Sequence, residues 1–305
     1  MCSAIITGAS RGIGRACALA MAECGCAIIV AAKTVTPDPK LPGTIYTVVD
    51  EIVRAGGKAA PFQLDVQNEK DCDACVKFAL EKFGSVDIVI NNASALWWKP
   101  IEETPMSRFD LMMRVNARGS FALTKAALPH MKKSGWGYVI NMSPPIEPKR
   151  LETRVAYSIS KFGMTLVALG VADECRGVGV GGHSLWPATI VESYASENFA
   201  MGDRAMWRKA DVLADSVLCI LSQDPKTFTG GMWIDEDLLR DHGITDFTGY
   251  RCDPNVEPPT MRQLAGDQKE VFERGKALTP EERAAVAEKF RKERETQPKK
   301  TGAKL

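Results

Sequence analysis

The sequence predicts an α/β protein built on one doubly wound, mostly parallel sheet, with a helical C-terminal extension. Three observations carry this. Short apolar runs rich in Val and Ile alternate with longer segments of helical period along the first 250 residues. A glycine-rich turn, TGASRGIG at 7–14, separates the first run from the first helix. The stretch AYSISK at 156–161 then sets Tyr157 and Lys161 on one face of a helix that otherwise reads as core.

The strands come in order. SAIIT (3–7), AIIVAA (27–32), AAPFQLDV (59–66), DIVIN (87–91), YVINM (138–142), VGGHSLW (180–186) and GMWID (231–235) are each a few residues long and β-branched or apolar. Between the second and third, IYTVVDEIVRAGG places Ile45, Val48, Val49, Ile52 and Val53 on one helical stripe that ends at Gly56 and Gly57. Strand and helix in alternation imply right-handed crossovers and helices on both faces. The domain is therefore expected to span 1–250. Beyond it, RCDPNVEPPTMRQ reads as a linker, and Thr279, Pro280 and Glu282 form the start signature of one more helix before a flexible tail.

Composition narrows the function classes. The 305 residues are 45% hydrophobic with a formal net charge of +1, which gives no field to attract nucleic acid. No apolar run reads as long enough to span a bilayer, and the N-terminus lacks the basic segment of a secretory signal. The nine cysteines are irregularly spaced, so they are expected as reduced thiols; Cys72 and Cys75 form a lone C-x-x-C on a helix, without the second pair a metal site needs.

The glycine turn carries the first piece of chemistry. Gly8, Gly12 and Gly14 permit a tight turn, and the following helix start offers free N–H groups and a positive dipole end to a pyrophosphate. Ser10, Arg11 and Ile13 lie within the same turn. The second strand ends in Lys33 with no carboxylate, where an NAD site usually has an acid. With Arg11 it supplies two cations suited to a 2′-phosphate, so NADP(H) is the expected cofactor; otherwise both are surface charges. Asp65 can accept from an adenine amino group or cap the next helix. NNAS at 91–94, with Asn92 and Ala93, can lie against the cofactor or simply turn the chain. No metal is expected.

The Tyr157–Lys161 pair carries the second. A free phenol has a pKa of about 10, and a neighbouring ammonium favours its phenolate. Tyr157 can then pass a proton to or from a substrate oxygen while Lys161 tunes it and holds ribose hydroxyls.

These motifs, TGxxxGxG at 7–14, NNA at 91–93 and YxxxK at 157–161, resemble those of the single-domain short-chain dehydrogenases/reductases, over roughly residues 3–250. The resemblance implies a Rossmann-type fold and an oxidoreductase that interconverts an alcohol and a ketone or aldehyde. It also implies a proton relay supported by Asn116, nicotinamide contacts from Pro187 and Thr189, and a homo-oligomer through two long helices. Two residues depart from the pattern, and one is Ala188, where the family usually has a glycine after Pro187. The family's serine lies thirteen residues before the tyrosine, where this chain has Pro144. Ser143 is the nearest hydroxyl, either an oxyanion donor reached through a longer loop or a plain strand-end serine.

The stretches TVTPDPKLPGTIY, INMSPP and FTGGMWIDEDLLRDHGITDF are further similar to the hydroxysteroid dehydrogenase-like type 2 group. Longer members of that group carry a sterol-carrier-like domain; this chain ends where its linker would run, so a member without that domain is expected. Trp97, Trp98, Tyr194, Phe199, Met201, Met206 and Trp207 suit an apolar, lipid-like substrate under a lid, or else pack a loop or an oligomer contact. Ala303, Lys304 and Leu305 form a variant of the peroxisomal address, which points to an import receptor and a peroxisome or glycosome; without it the chain would be cytoplasmic. The alternative function is an NADP-binding sensor or lipid-associated scaffold with little turnover.

Overall fold

The structure is a computed structural model that describes residues 2–38, 43–147, 151–199 and 201–264. Seven parallel strands form one sheet in the order β3-β2-β1-β4-β5-β6-β7. They are β1 Ser3–Thr7, β2 Ala27–Ala32, β3 Ala59–Gln63, β4 Ile88–Asn91, β5 Gly137–Met142, β6 Val180–Trp186 and β7 Met232–Ile234. This is the doubly wound Rossmann-type sheet the alternation predicted.

Alternation along β1 shows how the sheet is buried on both sides. Ala4 and Ile6 face one layer, made by α1 (Gly12–Glu23), α2 (Ile45–Arg54), α8 (Asp211–Leu221) and α9 (Asp235–Asp241). Ile5 faces the other, which includes α3 (Glu69–Phe83), α5 (Gly119–Ser134) and α6 (Val155–Glu174). Because side chains alternate with period two, both faces of β1 must be apolar, and all five of its residues are buried.

Two local readings shift. β3 stops at Gln63, because Leu64 to Gln67 leave the sheet and Asp65 turns to bind the Gln67 amide. On α2, Ile45, Val48 and Ile52 are buried, but Val53 is 54% exposed, since it falls beyond the stripe that reaches the sheet.

α6 is, by length and composition, long and apolar enough to cross a membrane, where the sequence reading found no such run. Its apolar character has a structural use here: Lys161, Met164, Thr165 and Ala168 are buried as it packs on β5 and β6. The remaining helices are α4 (Met106–Met112), α7 (Tyr194–Asn198) and α10 (Met261–Leu264).

In a doubly wound sheet, ligands bind where the strand order reverses. Here that crevice opens between β1 and β4 at their carboxyl ends. The segment read as a linker lies along the same unit in its described part: Glu257 pairs with the buried Arg208, and the Met261 N–H donates to the Ala188 carbonyl at 2.6 Å. The helix expected from Thr279 and the Ala303-Lys304-Leu305 terminus lie outside the described residues.

Candidate active site

The glycine turn is shaped by what packs on it. Gly8 and Gly12 have φ of +64° and +54°, which side chains rarely adopt. A Cβ on Gly14 would lie 2.6 Å from Asn92 Nδ2 and 2.7 Å from the Gly8 carbonyl oxygen. The close approach at Gly14 is therefore to the β4 turn. Asn92 Nδ2 donates to the Thr7 carbonyl at 2.9 Å, and the Thr7 hydroxyl accepts from the Asn92 and Ala93 N–H groups at 3.0 and 2.9 Å. These bonds lock the ends of β1 and β4 together across the switch point.

The turn presents a cation to the crevice. Arg11 Nη2 donates to the Thr34 hydroxyl at 3.0 Å and the Gly43 carbonyl at 3.2 Å, while its Nε is buried without a partner. A cavity of about 340 Å³ opens at the start of α1, lined in part by Arg11, Gly12, Ser193, Tyr194 and Lys209. Ser10 is buried, and Gly43, which sequence reasoning passed over, would drive a Cβ to within 2.4 Å of the Ser10 carbonyl oxygen. Lys33 follows β2 directly and faces Asp65 at 3.6 Å with 65% of its side chain exposed. Such an exposed pair is worth under about 1 kcal/mol, so it leaves the ammonium free to bind an anion. Asp65 does not cap α3; Asn68 does, accepting from the Lys70 N–H.

These residues fit a dinucleotide phosphate. The helix start supplies N–H groups, Arg11 has an orphaned donor, and no carboxylate occupies the end of β2. At the far edge, Thr189 is buried after β6, and Ala188 N–H donates to Asp235 Oδ1 at 2.8 Å. Asp235 is held by that bond and the Glu236 N–H; burial pushes its carboxyl up to about 7. It anchors the Pro187–Thr189 loop, a role no local motif signals.

The second half of the site hangs on α6. Asn91 Nδ2 donates to Asn141 Oδ1 at 2.8 Å, and Asn141 Nδ2 to the Met164 carbonyl at 2.7 Å, so β4, β5 and α6 are tied in a row. Asn116 lies in a π-helical turn, Met113–Arg118, of the kind often found at functional sites. Its side chain accepts from the Ala95 N–H at 2.7 Å and donates to the Ala95 carbonyl and the Ser160 hydroxyl, both at 2.9 Å. Gly163 lets α6 approach this turn, since a Cβ there would meet Ala117 Cβ at 2.8 Å.

Tyr157 and Lys161 do share a face of α6, but not in the electrostatic relation the sequence suggested. Lys161 Nζ donates to the Met142 carbonyl at 2.8 Å and stands 5.9 Å from the centroid of the Tyr157 ring and 5.4 Å from that of Trp186. Burial without a carboxylate partner pulls its pKa down to about 7. Burial also pushes the Tyr157 phenol above its usual value, against smaller opposing effects from the Ser94 hydroxyl and the Arg154 cation. Desolvation outweighs the expected help from Lys161, which itself is only marginally charged near neutrality.

Ser143 is fully buried at the end of β5, where its Oγ accepts from Thr165 Oγ1 at 2.9 Å. Of the aromatic residues proposed to line the pocket, Trp98 packs against the phenol and Phe199 packs against Trp98. The Trp98 ring meets Tyr157 edge-on at 6.2 Å and Phe199 at 5.9 Å. Trp207 instead is buried in the loop and donates to the Met201 carbonyl, Tyr194 lines the cavity at α1, and Trp97 stacks under Arg108. Met206 is exposed. Arg154, whose guanidinium lies over the Trp98 ring, and Trp186, whose ring faces Lys161, were not placed in the site by sequence reasoning and stand beside it.

Cys72 is among the nine free thiols, and burial pushes it up to about 12, the inert state expected of a core cysteine. Among the described residues no cluster could hold a metal ion.

Comparison with known proteins agrees with this geometry. Residues 3–200 match the family model of the short chain dehydrogenases. Over 256 residues the chain is 44% identical to hydroxysteroid dehydrogenase-like protein 2 of Bos taurus, which covers 83% of this chain and 61% of that protein. It thus spans about three-fifths of the length of the curated relatives it matches. The crystal structure of a short chain dehydrogenase from Mycobacterium thermoresistibile is 41% identical, with a TM-score of 0.79 over 85% of this chain and 93% of that one. A metagenomic short-chain oxidoreductase crystallised in complex with NADP is 25% identical, with a TM-score of 0.63 over 76% of this chain and 96% of that one. The match runs through the turn that follows β1 and the helix that bears Tyr157, and on it the chain belongs to the short-chain dehydrogenase/reductase family of oxidoreductases.

Proposed function

We propose that the protein reduces a ketone or aldehyde on an apolar, lipid-like substrate, and oxidises the matching alcohol, with NADP(H) as cofactor and Tyr157 as the acid/base. The observation that carries this reading is the placing of Tyr157: a buried phenol at the start of α6, walled by the Trp98 ring and one helical turn from Lys161. Support for NADP(H) over NAD comes from Arg11, Lys33 and the lack of a carboxylate at the end of β2, and a family relative of known structure carries NADP.

The nicotinamide, when bound, supplies the hydride in one direction and takes it in the other. The chain's residues do the rest. The glycine turn and the start of α1 hold the pyrophosphate, Arg11 and Lys33 the 2′-phosphate, Asp65 the adenine edge, and Pro187 and Thr189 the nicotinamide side. Lys161 holds ribose hydroxyls. Tyr157 gives its phenolic proton to the carbonyl oxygen as the carbonyl carbon is reduced. Lys161, with a pKa near neutrality, can return a proton to it, and Asn116 keeps the turn after β4 in register with α6. Trp98 and Phe199 exclude water from the reacting carbonyl.

A homo-oligomer fits Phe121 on α5 and Leu166 on α6, each 59% exposed. A peroxisomal or glycosomal location is proposed from the terminal Ala303-Lys304-Leu305 alone. The function is tested by following nucleotide oxidation with NADPH and with NADH against long-chain and polycyclic ketones. The reading expects turnover with NADPH on at least one of them. Tight NADPH binding without turnover on any carbonyl would favour the scaffold.

A further inference from the structure

The Pro187–Thr189 loop, which follows β6, is held from two directions through Ala188. Its N–H donates to Asp235 Oδ1 at 2.8 Å, and its carbonyl accepts from the Met261 N–H at 2.6 Å. Asp235 opens α9 directly after β7, so the first tie runs to the sheet. Met261 opens α10, at the end of the stretch whose sequence reads as a linker. A reciprocal cap sets it there: Thr260 Oγ1 accepts from the Gln263 N–H at 3.1 Å, and Gln263 Oε1 accepts from the Thr260 N–H at 2.8 Å. Met261 is then the first residue inside the helix, where an N–H has no carbonyl of its own helix to meet. Ala188 supplies that carbonyl.

The other end of the stretch reaches the same loop through the main chain. Arg208 N–H donates to the Ile190 carbonyl at 3.0 Å, and Glu192 N–H to the Arg208 carbonyl at 2.7 Å. Lys209 N–H in turn donates to the Tyr250 carbonyl at 2.7 Å, and Cys252 N–H to the Trp207 carbonyl at 3.0 Å. Val191, Arg208 and Arg251 thus stand side by side as one small ladder. Between the two ends the Arg208 guanidinium donates to Glu257 at 2.6 Å, and Pro258 is buried. A spacer between two units needs none of these bonds.

We propose that residues 250–261 belong to the cofactor site, as a strap whose Met261 N–H positions the Pro187–Thr189 loop for the nicotinamide. With both polar groups of Ala188 held, the neighbouring Thr189 stays buried and in place. A loop ordered before the nucleotide arrives loses less freedom on binding, which raises affinity for the part of the nucleotide it touches. Met261 and Glu257 act through the loop and are positioning residues. The nicotinamide role rests on the NADP(H) reading above; the hold of the strap on the loop does not.

Met261→Pro tests the bond directly, because proline suits the first position of a helix and has no N–H to donate. Met261→Ala removes the side chain and keeps the N–H. The full chain is titrated with NADPH and with 2′-phospho-ADP-ribose, which carries the 2′-phosphate and pyrophosphate but no nicotinamide. Met261→Pro should bind NADPH about 3- to 10-fold more weakly, the scale of one hydrogen bond, and 2′-phospho-ADP-ribose as wild type does. Met261→Ala should match wild type on both. Glu257→Gln, which removes the charge that Arg208 holds, should weaken NADPH binding in the same selective way. Without nucleotide, amide exchange over residues 188–192 should rise in Met261→Pro and not in Met261→Ala. NADPH affinity left at the wild-type value in Met261→Pro overturns the proposal, and so do equal losses for both ligands, which mark a general loosening. If wild type binds neither ligand, the NADP(H) reading falls and the nicotinamide role with it. Exchange over 188–192 then still decides the hold itself, and equal protection in the two Met261 variants would refute it.

Discussion

Lys161 and Tyr157 are neighbours on α6, yet the ammonium donates to the Met142 carbonyl at 2.8 Å and keeps 5.9 Å from the centre of the phenol ring. The lysine is 2% exposed and has no carboxylate partner, so the fold carries a desolvation cost at this position. That cost has a definite pH dependence. The folded pKa, about 7, lies below the unfolded value, so the unfolded chain binds the extra proton between about pH 7 and pH 10. Stability should therefore rise with pH across that window. The neutral Lys161→Met should be the more stable protein at pH 7 and below, by an amount on the order of a few kcal/mol. The advantage should shrink to nothing by about pH 10, read by thermal unfolding of both proteins along the pH series.

The raised phenol makes the two reaction directions respond differently to pH. Tyr157 stays protonated through neutrality, the form that gives a proton to a carbonyl. Alcohol oxidation, which needs phenolate, should climb with pH and show no plateau up to about pH 9, whereas carbonyl reduction should show no such climb. Initial rates in both directions decide it; a plateau of oxidation near pH 7 would mean that bound nucleotide or substrate depresses the phenol strongly.

Gly14 is fixed by its neighbours. Its Cβ would meet Asn92 Nδ2, the Gly8 carbonyl oxygen and Ala9 Cα within 2.9 Å, and two of these are backbone. Gly14→Ala should cost about 1–3 kcal/mol of stability and loosen the turn enough to abolish NADPH binding, measured by urea unfolding and by titration of nucleotide fluorescence.

Lys33 reads the nucleotide. Lys33→Ala should weaken NADPH binding about tenfold and leave NADH binding unchanged, since only the 2′-phosphate differs between them. Equal losses for both nucleotides would assign the lysine no part in the choice.

Arg208 holds the C-terminal segment to the site. It is 1% exposed, donates to Glu236 at 2.6 Å and to Glu257 at 2.6 Å, and Glu257 also pairs with Arg251. Arg208→Ala leaves the buried Glu236 with only its half-exposed partner Arg240, at 3.1 Å, and should cost up to about 3 kcal/mol. Hydrogen exchange of residues 251–264 should rise in the same variant, because Glu257 loses its inner partner.

What was legible in the sequence was whatever has a local signature. Seven strands could be read from β-branched runs, and the glycine turn from its spacing, because period and backbone sterics act within a few residues. What was missed acts over long separations. Arg208 meets partners 28 and 49 residues away, and Asp235 reaches back 47 residues to Ala188. The serine shows the limit of counting along the chain. Ser143 was nearest to the expected spacing, but its hydroxyl is buried against Thr165, a partner 22 residues away that no count along the chain suggests. Likewise the Tyr157–Lys161 spacing gave the shared face correctly and the charge wrongly, since burial is not visible in a four-residue motif.

The most direct measurement compares wild type with Tyr157→Phe in NADPH-dependent reduction of a ketone found active with wild type, with NADPH affinity measured on both. The account predicts that turnover falls by about two to four orders of magnitude while NADPH binds Tyr157→Phe as well as wild type. Turnover that survives the loss of the phenol would contradict it, because the proton would then come from a group other than Tyr157.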